Sequence, residues 1–309
     1  MITYLIQRIL QGIVVLLIVT FFTFGLMQLA PGDPIDIMVG EAIITDEQIE
    51  RIRAKWGLDR PWYEQYFTWL SNFMRGDLGD SVVRTGVPVS DMVTEAAWPT
   101  IQLNTLAVLV AILTALPAGV IAAVKHYSIF DSAIMVWASA GIALPNFWVG
   151  LMLIVFLSGE LGWLPSNGTG GWKYYVMPVL VLAINETAIL ARLMRGATLE
   201  VVSQDYVTTA RAKGLRDSVV LYRHIVRNAL LPIVTVLGLR AAFLLSGTIV
   251  VEVIFAWPGI GRLFIQSVDR LDYQVVQAIT VLFVLFVVIA NIITDLTYAL
   301  IDPRIRVRS

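Results

Sequence analysis

Cysteine is absent from the 309 residues, which excludes disulfides, thiol nucleophiles and thiolate metal sites. Histidine is nearly absent. His126 and His224, far apart along the chain, are the two imidazoles, and they argue against a zinc centre. Charge is scarce as well. Lys, Arg, Asp and Glu make up 15% of the chain, against roughly 25% in an ordinary globular protein. The net charge of −1 offers nothing to a nucleic acid. No G-x-x-x-x-G-K-[ST] phosphate loop occurs; Lys213-Gly214 has the wrong order and lacks the upstream glycine. A nucleotide-driven machine would therefore need its nucleotide site on another chain. No nucleophile elbow is present either. Ser246-Gly247 suggests an intramembrane serine protease only until one notes that neither histidine lies inside a span on the matching side. Internal repeats and low-complexity tracts are also missing.

What the chain has in abundance is apolar length. It is 58% hydrophobic, with a mean hydropathy of +0.77. Apolar runs cover residues 9–29, 101–124, 134–157, 176–193, 233–253 and 278–301, each close to the roughly 20 residues a helix needs to cross a bilayer. They predict six membrane spans. The fourth is the most interrupted, holding Asn185 and Glu186, and Pro117, Pro145 and Pro178 break the pattern of others. Membrane helices accept proline when neighbours satisfy the freed carbonyls. The first run is too long for the apolar core of a signal peptide and no A-x-A site follows it, so it is expected to stay as an anchor.

Basic residues set the orientation. An even number of spans puts both termini on one side, together with Arg8, Lys125, Arg195, Arg211, Lys213, Arg216, Arg223, Arg227 and the tail residues Arg304, Arg306 and Arg308. That side is expected to be cytoplasmic. Residues 31–100 carry more acidic than basic groups and form an outer insertion. Within it Thr45-Asp46-Glu47 predicts a helix start and Gly57 its end. Pro61 opens a second helix with Trp62, Tyr66, Trp69 and Phe73 near one stripe, either an aromatic belt at the headgroups or a platform for an external partner. Residues 158–175 form a short glycine-rich outer loop. Residues 256–273 suggest a re-entrant or interfacial segment turning at Pro258-Gly259.

The ionisable residues inside the runs are Glu186, Arg240 and Asp295. Such groups are costly against lipid and should face the bundle interior or water. They either line a polar pathway or pair structurally, for example Arg240 with Glu186 or Asp295. Arg192 and Arg195, at the inner end of the fourth run, are expected to snorkel.

Between the fourth and fifth runs lies the most charged internal stretch, residues 204–232. It reads as two short helices hinged at Gly214, which can take the left-handed conformation that closes a helix. Ser203 or Asp205 is expected to cap the first helix, Asp217 or Ser218 to restart the second, and Pro232 to open the next span. Tyr206, Val207 and Ala210 fall on one side of the first helix, with Arg211 and Lys213 on another. A short amphipathic rod tied to membrane spans at both ends is suited to a groove on another protein. The alternative is an ordinary cytoplasmic loop obeying the charge bias. His224 in the second helix is expected to make a packing or polar contact.

Several stretches together carry a family resemblance: Leu29-Ala30-Pro31-Gly32-Asp33-Pro34, Gly76-Asp77-Leu78-Gly79 with Ser81, Leu161-Gly162-Trp163-Leu164-Pro165, Val251-Glu252, Trp257-Pro258-Gly259-Ile260-Gly261-Arg262, and the run from Asp205 to Pro232. In these the chain resembles the inner-membrane permease subunits of ATP-binding-cassette importers of the dipeptide, oligopeptide and nickel class. It departs from the general permease pattern at Thr208, Thr209, His224, Val226 and Arg227 and follows the peptide-class version. Asp272-Tyr273-Gln274 stands where that class often has Asp-Tyr-Pro.

The resemblance implies an all-α integral membrane protein with six transmembrane helices and the type I ABC importer permease fold, carrying an extracytoplasmic insertion after the first span. The expected divisions are 1–30, 31–100, a core of 101–301 with a coupling loop at 196–230, and a tail at 302–309. The implied activity is half of an ATP-driven translocation pathway for di- or oligopeptides. Nickel or glutathione is the alternative cargo, and an ATP-independent secondary transporter the rival from another class. The implied partners are a second permease subunit, two cytoplasmic ATPase subunits holding ATP and Mg, and an extracytoplasmic binding protein, in a bacterial or archaeal inner membrane. No cofactor or catalytic residue is expected on this chain. Contact with the ATPases would fall to Asp205, Tyr206, Val207, Thr209, Ala210, Arg211, Ala212, Lys213, Gly214 and Leu215.

Overall fold

A computed structural model describes residues 2–29, 45–241 and 244–301. Among them regular structure is helical, apart from one isolated antiparallel bridge between Asp80 and Pro88. Helix α1 spans Ile2–Leu29, α2 Asp46–Trp56, α3 Trp62–Met74, α4 Val89–Val124, α5 Ile129–Ala143 and α6 Asn146–Leu153, which runs on as a π-helix over Ile154–Glu160. Helix α7 is Lys173–Val202, α8 Asp205–Ala212 and α9 Arg227–Ala241, the last entered through a helical turn at Asp217–Val219 and a π-helix at Val220–Val226. Helices α10 (Leu244–Ile254), α11 (Ile260–Asp269) and α12 (Tyr273–Ile301) complete the chain.

Among the described residues, five stretches are long and apolar enough to cross a membrane: Ile6–Gln28, Val89–Val124, Lys173–Val202, Asp217–Gly238 and Tyr273–Ile293. The sixth is a broken one. Helices α5 and α6 meet at 103°, because Pro145 supplies no N–H to continue the helix and Leu144 before it is extended (φ −80°, ψ 126°). The apolar run at 134–157 is therefore a bent pair, not a straight rod. In the fifth run, residues 233–241 belong to α9 and 244–253 to α10, residues 242–243 lie outside the described residues, and a stretch long enough to cross begins further back, at Asp217. Pro232 lies inside α9 and does not open a span; its fixed φ is helical and it forfeits one backbone bond.

The described part of the insertion after the first span, residues 45–100, follows its sequence signals closely. Thr45 and Gln48 form a capping box at the start of α2, and Gly57 closes it in the left-handed region at φ 66°. The aromatic stripe of α3 packs on the first span. Thr20 and Tyr66 share a hydroxyl hydrogen bond of 3.0 Å, and Phe24 stacks edge-on against Tyr66 at 5.6 Å. Tyr66 is thereby buried, while Trp62 stays half exposed, so the stripe is first a helix–helix seam.

The centre of the bundle is the contact of α4 with α7. Ala111, Ala115 and Gly119 of α4 repeat every fourth residue and meet Leu190, Ala191 and Met194 of α7. A Cβ at Gly119 would stand 2.6 Å from the Ala191 carbonyl oxygen, so glycine is what lets the two backbones approach. Small residues serve this purpose in lipid, where close packing replaces the hydrophobic effect between helices. The outer surfaces of α1 and α4 are lined with exposed Ile, Leu, Val and Phe, as a lipid-facing or subunit-facing surface requires.

Candidate functional site

Helix α8 begins at Asp205 with Gln204 at its N-cap position and no side-chain cap. Neither expected cap forms: the Ser203 hydroxyl donates backwards to the Glu200 carbonyl at 2.8 Å, and Asp205 is already within the helix. The closing end follows the sequence signal. Gly214 sits at φ 77°, and its N–H donates to the Arg211 carbonyl at 2.9 Å. The chain restarts at Asp217 with Arg216 at the N-cap position.

The apolar face of α8 is turned inward. Val207 is fully buried and Ala210 nearly so, packed with Val220 and Ile225 of the π-helix and flanked by Val201, Val202 and Leu221. Tyr206 is half exposed, its hydroxyl accepting from Asn228 Nδ2 at 3.1 Å, while the same Asn228 donates to the His224 carbonyl at 2.7 Å. Val207 and Ala210, read as partner contacts, thus buttress the chain's own fold, and the Tyr206 hydroxyl is bonded within it. The outward surface is Asp205, Thr208, Thr209 and an unbroken exposed run at 211–219, which includes Arg211, Ala212, Lys213, Gly214 and Leu215. The i, i+3 spacing of Val207 and Ala210 was the signal for an inward face. What it could not say was whether the chain itself or a partner filled the opposing groove.

This knuckle is tied to the bundle through α7. Arg195 grips Asp131 with two parallel bonds, Nε to Oδ1 at 2.6 Å and Nη2 to Oδ2 at 2.8 Å. Asp131 is buried and also accepts from the Tyr127 N–H at 3.1 Å. Arg195 therefore does not snorkel; it fastens the start of α5 to α7. Arg192 donates to the Ser139 hydroxyl at 2.9 Å. Between α5, α7 and α9 opens a cleft of about 610 Å³, with Ile142, Ile189, Leu193 and Val236 along its walls and Arg192 and Glu200 as its charged groups. Of the three ionisable residues expected along a pathway, Glu186 is half-buried on α7. The side chains of Arg240 and Asp295 lie outside the described residues, as does 30–34 of the first family stretch.

The remaining family stretches, unconnected in sequence, meet in space. The Ser81 hydroxyl donates to Asp272, whose other oxygen accepts from the Val82 N–H at 3.1 Å. Leu164 packs on the cluster holding Val251 and Trp257. Glu252 is fully buried, with its carboxylate bonded to the Thr100 hydroxyl at 2.6 Å and the Arg262 N–H at 3.1 Å. Sequence reasoning assigned Glu252 no role. Its signal was a lone acid ending an apolar run just ahead of Gly259-Ile260-Gly261.

Comparison with known proteins agrees with this arrangement. Residues 115–307 match the family described as "Binding-protein-dependent transport system inner membrane component", and residues 1–102 match the N-terminal family of such membrane components. The chain is 41% identical over 315 residues to the oligopeptide transport system permease protein AppB of Bacillus subtilis (strain 168), covering 99% of each. It is 41% identical over 307 residues to the glutathione transport system permease protein GsiC of Escherichia coli (strain K12), again covering 99% of each. Two solved structures share the fold at 18% identity. An inward-facing MetNI methionine ABC transporter gives a TM-score of 0.56 over 68% of this chain and 96% of that one. An amino acid ABC transporter solved with histidines gives 0.51 over 67% and 93%.

Proposed function

The chain belongs to the family of binding-protein-dependent transport system inner membrane components, as a permease of the peptide class of ABC importers, and on that premise we propose that it forms half of an ATP-driven import pathway for di- or oligopeptides. The family supports this reading and not that of a self-sufficient secondary transporter. The observation that carries the mechanism is the exposed run at 211–219, held rigidly by the buried Val207 and Ala210 beneath it.

On this reading Asp205, Tyr206, Thr209, Arg211, Ala212, Lys213, Gly214 and Leu215 meet a groove on a cytoplasmic ATPase subunit, while Val207 and Ala210 set the angle of the helix. ATP and Mg are held by two such subunits. Their closure pushes on α8, and α7 passes the movement into the bundle through the close α4–α7 seam. A second, homologous permease supplies the other half of the pathway, and an extracytoplasmic protein delivers the cargo. The knuckle and both termini face the cytoplasm of a bacterial or archaeal cell. Glu186, Arg240 and Asp295 are the proposed polar positions of the pathway. The cleft beside Arg192 and Glu200 supports a route along α7, since a zwitterionic cargo needs both signs of charge against apolar walls. Glutathione is the second candidate cargo, because the identity to GsiC equals that to AppB.

The test is reconstitution. The chain co-expressed with its ATPases and second permease should purify as one complex and, in liposomes with the binding protein, take up peptide only with ATP. Uptake by the chain alone, driven by an ion gradient, would refute the proposal.

A further inference from the structure

Glu252 is 0% exposed at the end of α10, and neither the coupling surface nor the cleft uses it. A buried carboxylate is expensive unless its oxygens are satisfied. Here the partners come from two other elements. Oε1 accepts from the Thr100 hydroxyl of α4 at 2.6 Å, and Oε2 accepts from the Arg262 N–H of α11 at 3.1 Å. Thr100 in turn accepts from the Ile260 N–H at 2.9 Å. Amides that open a helix have no partner within it. Two at the start of α11 are therefore capped, Ile260 by a side chain of α4 and Arg262 by one of α10, and the positive end of the α11 dipole faces the carboxylate.

The glycines show how closely this is built. A Cβ at Gly259 would stand 2.4 Å from the carboxylate oxygens, and one at Gly261 would stand 2.7 Å from the Ile249 Cα. The neighbouring turn is pinned to the same point of α4, where the Trp257 indole N–H donates to the Pro99 carbonyl at 3.1 Å. The α10–α11 hairpin is thus fastened to residues 99–100 of α4 by directional bonds, whereas the side chains of Phe255 and Trp257 pack in an apolar cluster and the Phe255 carbonyl accepts from the Gly168 N–H at 3.0 Å. Apolar surfaces slide. A carboxylate cap is either made or broken, which is the property of a two-state element.

We propose that Glu252, Thr100 and the first amides of α11 form a latch that holds the α10–α11 hairpin against α4 in the resting importer, Glu252 being a positioning residue whose release accompanies opening of the pathway. This rests on the transport reading above.

The experiment uses the complete complex in liposomes and compares the parent with Glu252→Gln, Thr100→Val and Thr100→Ser. Hydrolysis is measured without and with peptide-loaded binding protein, and peptide taken up per ATP is measured beside it. Losing one charge-assisted bond should raise basal hydrolysis about tenfold and reduce stimulation correspondingly in Glu252→Gln and Thr100→Val. Thr100→Ser, which keeps the hydroxyl, should restore parental coupling. Parental ratios in all three variants would overturn the latch, as would equal damage from Ser and Val at position 100. If Glu252→Gln and Thr100→Val failed to assemble, the carboxylate would belong to folding, and the latch would again be overturned. A parent complex that shows no ATP-dependent uptake would strike at the transport reading instead.

Discussion

Asp131 and Arg195 show what a single pair does in this molecule. Both oxygens of a buried carboxylate meet the two arms of one guanidinium, a geometry lysine cannot reproduce. Removing Arg195 leaves the buried Asp131 carboxylate without its ion partner, while removing Asp131 leaves a guanidinium that still reaches water. Asp131→Asn or Arg195→Met should therefore lower the melting temperature of the purified complex clearly, and Asp131→Asn combined with Arg195→Met should recover most of the loss. A double variant no more stable than the singles would mean the pair contributes through something other than its mutual charge. Sequence alone placed Arg195 at a membrane boundary and had no means to find Asp131, 64 positions away.

At the scale of elements, α8 and its closing glycine are the part most open to test. Gly214 at φ 77° lies in a region proline cannot enter. Ala210 is 5% exposed against Val220 and Ile225, where an added carboxylate would find no partner among these apolar groups. Gly214→Pro and Ala210→Asp should each abolish uptake and peptide-stimulated hydrolysis while the chain still inserts in the membrane. Unchanged uptake in both would remove α8 from the coupling path. A complementary outcome separates surface from support: reversing charge at exposed Arg211 and Lys213 should weaken co-purification of the ATPase subunits and leave the permease itself as stable as before. The helix, its glycine stop and its two faces were legible from residue spacing. The identity of the groove under Val207 was not, because a helical period reports that a face is apolar and not what covers it.

For the whole molecule, the absence of native cysteine makes orientation directly measurable, since one introduced thiol is the only one present. Thr208→Cys in α8 should react with a membrane-impermeant reagent only from the cytoplasmic side of sealed vesicles, and Arg84→Cys in the insertion only from the opposite side. The reverse labelling would invert the topology and end the proposed coupling to cytoplasmic ATPases.

Residues that act through local chemistry were readable from the chain itself. Apolar runs of bilayer length announce helices because lipid offers their backbone no hydrogen bonds. Thr45, Gly57, Pro61 and Gly214 punctuate helices through dihedral preferences that belong to each residue. Tertiary structure alone decided which distant groups meet: Arg195 with Asp131, Ser81 with Asp272, and Glu252 with Thr100 and the start of α11. Such contacts depend on where whole helices cross, and that is set by the sum of many small packing choices along α4 and α7 and by no single residue's preference.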